Sequence, residues 1–195
     1  AQKLNPLFGP ALSAFFVLGV SYYLADYFHF DGLLDTADAL AAGGDVEKRL
    51  RVLKTPDVGA LGVLFAFFFL LGEFLLSAEL LKRGAFEAFF WRPLVGREAL
   101  GLLALVGKPA KREGLGTLFL STSRKRLLFI QLLWPVLFLK AFFPALLSFL
   151  LVFLLKAKFE KNFGGLTGDL LGATVLLSQW IFLFGSLVGG SFSPW

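Results

Sequence analysis

The sequence predicts an all-α, polytopic integral membrane protein with about six crossings or partial crossings and short cytoplasmic segments. Three observations carry that prediction. Of 195 residues, 57% are hydrophobic, 25 are Phe and 17% are charged, whereas soluble domains carry about 25% charged residues. Apolar runs near twenty residues recur, and about 20 residues are what a helix needs to cross the hydrocarbon core. The runs are continuous, where a membrane β-barrel would alternate in short segments. The net charge of +5 fits basic loops beside an anionic leaflet and not a nucleic-acid partner. With no cysteine, disulfides, thiolate metal sites and cysteine nucleophiles are excluded. No strong internal repeat stands out, so residues 1–195 read as one transmembrane helical domain. The absent initial Met points to further N-terminal sequence.

The elements follow in order. The first crossing runs from about Phe8 to Phe28, with Asp26 near its end at the interface. After the acidic stretch "HFDGLLDTADAL", Gly43 and Gly44 break the chain, and Asp45 caps a short charged helix that stops before Pro56. The second crossing is Ala60 to Leu81, with Glu73 and Glu79, followed by a tight turn at Lys82 to Gly84. The third spans about Ala85 to Val106 and contains Arg92, Pro93, Arg97 and Glu98. A polar loop covers Gly107 to Arg126. The region Leu127 to Leu155 would be about 43 Å long as one helix, more than the hydrocarbon thickness of about 30 Å. A hairpin near Lys140 is therefore preferred over one long tilted crossing. The last crossing is Leu170 to about Val188. The hairpin puts Asp31–Gly59, Gly107–Arg126 and Lys156–Asp169 on one side, with 13 of the 19 basic residues. That side is then the cytoplasm of a multi-pass cell-membrane protein. Gly185 and Gly189–Gly190 could serve helix packing within this chain or in a homo-oligomer.

Asp31, Asp35 and Asp38 are spaced four and three, which aligns them on one helix face. Like charges so placed repel, more strongly at a membrane edge of lower dielectric. Mg²⁺ or Mn²⁺ is the simplest compensation, because both favour carboxylate oxygens. The plainer alternative is a solvated, acidic helix start. Phosphoryl transfer supplies a reason for such a cluster: metal ions bridge phosphate oxygens, and a carboxylate orients or deprotonates an alcohol. Asp57 and Asp169 are further ligand candidates, although Asp169 could instead cap the last helix. Lys54, Arg97, Lys111 and Arg112 could meet phosphate, or be loop charges. Arg97 stands apart because a buried arginine in a crossing is costly; its structural alternative is a pair with Glu73 or Glu98. Gly164, Gly165 and Gly168 allow tight turns and close approach to a ligand. His29 reads as an interfacial residue, and one histidine without cysteine argues against zinc. A non-enzymatic alternative is a cation-coupled transporter using Glu73, Arg92, Arg97 and Glu98.

The segments "HFDGLLDTADAL", "KTPDVGALG", "LVGREALGLL", "AKREGLG" and "FGGLTGDLLGATVLLSQ" follow one another as do the motifs of the cobalamin-5′-phosphate synthase family, also called adenosylcobinamide-GDP ribazoletransferases, and the chain resembles that family from about Phe8 onward. The resemblance implies an integral membrane, Mg²⁺-dependent transferase. Such an enzyme joins adenosylcobinamide-GDP to α-ribazole or α-ribazole 5′-phosphate, giving adenosylcobalamin or its 5′-phosphate and releasing GMP. It implies Asp31, Asp35, Asp38 and Asp169 as metal ligands, with Asp57 either substituting for a further family aspartate or leaving that ligand missing, and Asp35, Asp38 and Arg97 as catalytic groups, to which the residues themselves add Lys54. It further implies substrate contacts at His29, Lys111, Glu113 and Gly168. The chain departs from the family pattern at three places. Thr55 and Pro56 follow Lys54 where aspartate and serine are common, Lys111 replaces arginine, and Gln179 stands where glutamate is usual. A CDP-alcohol phosphotransferase also uses helix-spaced aspartates, but its alanine-arginine pair has no counterpart in "DTADAL".

Overall fold

A computed structural model describes residues 5–110 and 141–192. Among these residues the structure is all helical: α1 (Asn5–Ser21), a π-helical turn (Tyr22–Asp26), α2 (Tyr27–Ala41), α3 (Val46–Val52), α4 (Ala60–Lys82), α5 (Ala88–Val106), α6 (Phe142–Phe163) and α7 (Gly168–Val188). Among the described residues, four stretches are long and apolar enough to cross a membrane: Asn5–Ala41, Ala60–Lys82, Phe142–Phe163 and Gly168–Val188. The expected turn near Lys140 lies outside the described residues.

The first run does not end at Phe28. The rod continues through the π-helical turn to Ala41, so the aspartates ride on the same element as the first crossing. It bends once, at Gly9 (φ 75°) before Pro10, and stops where Gly43 and Gly44 take positive φ of 60° and 83°. Asp45 then caps α3 as its sequence indicates, accepting from the Lys48 amide at 2.8 Å. Arg49 and Arg51 in the last turn of α3 complement its dipole. The Lys82–Gly84 turn closes α4 with a paired motif: the Gly84 amide bonds Leu81 O and the Ala85 amide bonds Leu80 O. Gly84 supplies the positive φ which that motif requires.

The expected polar loop after Leu155 is shorter than its charge suggested. α6 runs on to Phe163, because Lys and Glu are good helix formers and Lys156 pairs with Glu160 one turn later at 2.9 Å. Gly164 ends it with φ 74°.

α7 is the central helix. It packs against α2, α4, α5 and α6 and buries residues around its whole circumference, from Leu170 to Ser186, as an apolar helix without a polar face does. Ser148 of α6 bonds Ser178 O at 2.9 Å. A Cβ at Gly185 would stand 2.8 Å from Pro144 Cα, and one at Gly189 would stand 2.7 Å from the Phe143 ring. Both glycines therefore serve packing within this chain. The outer helix α4 exposes Phe67, Phe68 and Leu75 by more than half, the surface that lipid tails cover.

Candidate functional site

The site is built where α2 crosses the start of α7. A Cβ on Gly32 would lie 2.6 Å from the Asp169 carbonyl oxygen and 2.9 Å from its Cα. One on Gly172 would lie 3.2 Å from His29 Cα. Glycine at these two positions is what lets the backbones meet. The crossing sets Asp169 against the acidic face of α2. Asp35 lies in the fields of Asp31, Asp169 and Asp38, and Asp169 in that of Asp31. Asp31 is exposed, while Asp35, Asp38 and Asp169 are half-buried. The N-cap of α7 is Thr167 and not Asp169: the Leu170 amide donates to Thr167 Oγ1 at 3.4 Å. Asp169 sits in the first turn, accepting from the Thr167 hydroxyl at 3.4 Å.

Asp38 is engaged differently from its neighbours. Its carboxylate accepts the Gly59 amide on Oδ2 at 2.7 Å and the Gly62 amide on Oδ1 at 2.6 Å. It thus caps α4 from another helix, where orphan amides and the helix dipole favour an anion. A side chain on either glycine would collide with this carboxylate. Lys54 and Asp57 are exposed in the loop leading to Gly59. Lys111 and Glu113 lie outside the described residues. The chain just before them is fixed, because the Leu166 amide bonds Lys108 O at 2.8 Å and the Ala110 amide bonds Leu166 O at 2.9 Å. Gly165 permits this pairing, since a Cβ there would stand 2.6 Å from the Ala110 nitrogen. Gly168 faces open space.

Behind the carboxylates lies a buried charge cluster that sequence reasoning divided wrongly. Asp26 is fully buried in the bundle and not at the interface. Arg97 pairs with it, Nη1 to Oδ1 at 2.9 Å, an acid that the sequence did not offer among its structural alternatives, Glu73 and Glu98. Arg92, 2% exposed, pairs with Glu73 at 2.5 Å and approaches Asp26 at 3.5 Å. Tyr22 donates to Glu73 at 2.6 Å, and Gln179 donates to Asp26 at 3.2 Å. Two acids against two arginines leave the cluster neutral, which is the condition for burying charge in a membrane protein. The signal available in the sequence was the number of ionisable residues inside apolar runs; their pairing spans 19 to 71 positions and is set by the fold.

Asp31, Asp35 and Asp169 have the donor chemistry of a Mg²⁺ site: hard carboxylate oxygens, partly open to water. Asp31, Asp38 and Asp169 all place negative charge around Asp35, so a cation would relieve repulsion. Among the described residues, no three acidic or histidine side chains stand close enough to form a finished metal cage.

Fold and site together define a polytopic α-helical membrane protein with an acidic cluster at one end of its bundle. The cobalamin-5-phosphate synthase family model matches residues 2–187, and the chain belongs to that family. It is 36% identical to the adenosylcobinamide-GDP ribazoletransferase of Thermosipho melanesiensis, covering 87% of this chain and 72% of that protein. It is 31% identical to the enzyme of the same name from Thermodesulfovibrio yellowstonii, covering 94% and 76%. No solved structure matches.

Proposed function

We propose that this chain transfers the adenosylcobinamide phosphate of adenosylcobinamide-GDP to α-ribazole or α-ribazole 5′-phosphate, releasing GMP, at the cytoplasmic edge of the cell inner membrane. The observation that carries the reading is the crossing at Gly32, which opposes Asp169 to Asp31 and Asp35 in a chain of this family. Asp31, Asp35 and Asp169 would hold Mg²⁺. The ion, when bound, would supply positive charge to offset the negative charge developing on the leaving GMP. Asp35 would orient the attacking hydroxyl and take its proton. With the 5′-phosphate substrate the 5′ position is blocked, so the attacking oxygen is another ribose hydroxyl. It forms a bond to the phosphorus on the cobinamide side while the P–O bond to GMP breaks. Arg97 would meet phosphate oxygens from the membrane side and Lys54 from the loop. Asp38 shapes the site by fixing the start of α4.

The test is product formation in detergent or liposomes with adenosylcobinamide-GDP, α-ribazole 5′-phosphate and Mg²⁺, read by mass spectrometry. Adenosylcobalamin 5′-phosphate and GMP should appear together and need the ion. GMP without the corrinoid product would reduce the activity to hydrolysis and refute the transfer. CMP release from a CDP-alcohol substrate would favour the other phosphotransferase class.

A further inference from the structure

We infer that Asp26 is the positioning residue for Arg97, holding one edge of its guanidinium inside the bundle so that its remaining donors are presented, partly exposed, to substrate phosphate. The inference rests on the transferase reading and adds to it a buried acid outside the acidic motif. Asp26 has no exposed surface and is over-determined. It accepts from Arg97 Nη1 at 2.9 Å and Gln179 Nε2 at 3.2 Å on Oδ1, and from the Ser21 hydroxyl at 3.3 Å on Oδ2. Arg97 is pinned on the same edge by Ala25 O, 2.7 Å from Nη2, and Pro93 O, 3.4 Å from Nη1. Yet 37% of its side chain stays exposed. A guanidinium carries five N–H donors in a rigid fork, so fixing one edge fixes the direction of the others.

His29 feels both Arg97 and Asp26, and on α2 it stands between Asp26 and Asp31. Asp31 follows Asp26 by five positions, a rise of about 7.5 Å along a helix axis. Two local features hold the arrangement. Asp26 closes the π-helical turn, a departure from α-geometry that is frequent at functional sites. Gly96, beside Arg97, leaves room for Gln179, whose Nε2 would be 2.7 Å from a Cβ there. The helix carrying Arg97 is thereby pressed against the amide that holds Asp26. Arg92 keeps Glu73 as its partner, so the loss of Asp26 falls mainly on Arg97.

The geometry also supplies the test. A carboxylate at position 179 would lie within hydrogen-bond reach of residue 26, so Asp26→Asn combined with Gln179→Glu moves the charge across one hydrogen bond. Two readouts separate positioning from bulk stability. The first is the rate at which phenylglyoxal labels Arg97, measured by peptide mass spectrometry without substrate or metal. The second is a cycle with Arg97→Ala. Asp26→Asn should label several-fold faster and lose about 100-fold in kcat, the scale of one lost transition-state contact. It should cost little further in the Arg97→Ala background. The double exchange should restore slow labelling and most of the activity. Unchanged labelling in Asp26→Asn would overturn the inference, as would a full additional loss on top of Arg97→Ala. A folded double exchange without recovery would do the same. If Asp26→Asn does not fold, the double exchange decides alone, and its own failure to fold would make Asp26 a folding requirement instead. A wild-type chain that forms no product refutes the transferase reading, while labelling still tests the hold on Arg97.

Discussion

Gly32→Ala isolates the geometry of the site from its chemistry, because it adds one methyl group and no charge. The added Cβ would stand 2.6 Å from the Asp169 carbonyl oxygen, where ordinary contact begins at 3.4 Å, a shortfall of about 0.8 Å. The obstacle is backbone on both sides, so no rotamer change relieves it. α2 and α7 must part by most of that amount, carrying Asp169 away from Asp31 and Asp35. Overpacking of this kind costs about 1–3 kcal/mol, which a bundle can survive. A displacement near 1 Å in a reacting constellation costs about 100-fold in rate. Initial rates of GMP release should therefore fall by about two orders of magnitude, while the thermal midpoint in detergent falls modestly. Gly19→Ala is the control, since its Cβ would meet nothing within 4 Å. Wild-type turnover in Gly32→Ala would mean that the approach of Asp169 to α2 has no part in catalysis.

Three further outcomes are expected. Asp35→Asn should lose most turnover and shift any remainder to at least about tenfold higher Mg²⁺, the loss of one metal ligand or its support; a magnesium titration identical to wild type would remove Asp35 from the metal site. Asp38→Asn replaces one acceptor of a backbone amide with a donor, and should cost about 1–3 kcal/mol; it is read as a lower thermal midpoint at saturating Mg²⁺, and an unchanged midpoint would leave the cap on α4 without weight. Glu73→Gln leaves Arg92 short of its nearest carboxylate inside the bundle, a change worth about 3–5 kcal/mol; yield of monodisperse protein in detergent should fall sharply, and normal yield and melting would contradict a neutral buried cluster.

Much of the fold was legible because each crossing is continuous in sequence and local rules set its ends. Gly43–Gly44, the Asp45 cap and the Lys82–Gly84 turn all fall where the residues place them. The acidic motif was legible for the same reason, since spacings of four and three describe a helix face directly. Misread features depend on helix neighbours. Asp26 looked interfacial because the first run was ended at Phe28, whereas the helix continues to Ala41 through a π-helical turn that no residue pattern announces. The two amides that Asp38 accepts, from Gly59 and Gly62, come from another element and could not be read from its spacing. For Asp169 the sequence left ligand and cap both open; the cap is Thr167, two residues earlier, which has the extended backbone a cap needs.

The neutral cluster also bears on how the protein is made. α5 is not among the described helices apolar enough to cross a membrane unaided, and an arginine at the centre of a crossing costs about 2.5–3.5 kcal/mol on insertion. Both acids that meet its arginines, Asp26 and Glu73, come earlier in the chain. Synthesis from the N-terminus therefore delivers the negative charges on α4 and the first rod before the positive ones emerge. The acids that neutralise Arg92 and Arg97 thus precede them in the order of the genetic message, while α6 and α7, the helices that pack most of α5, follow it.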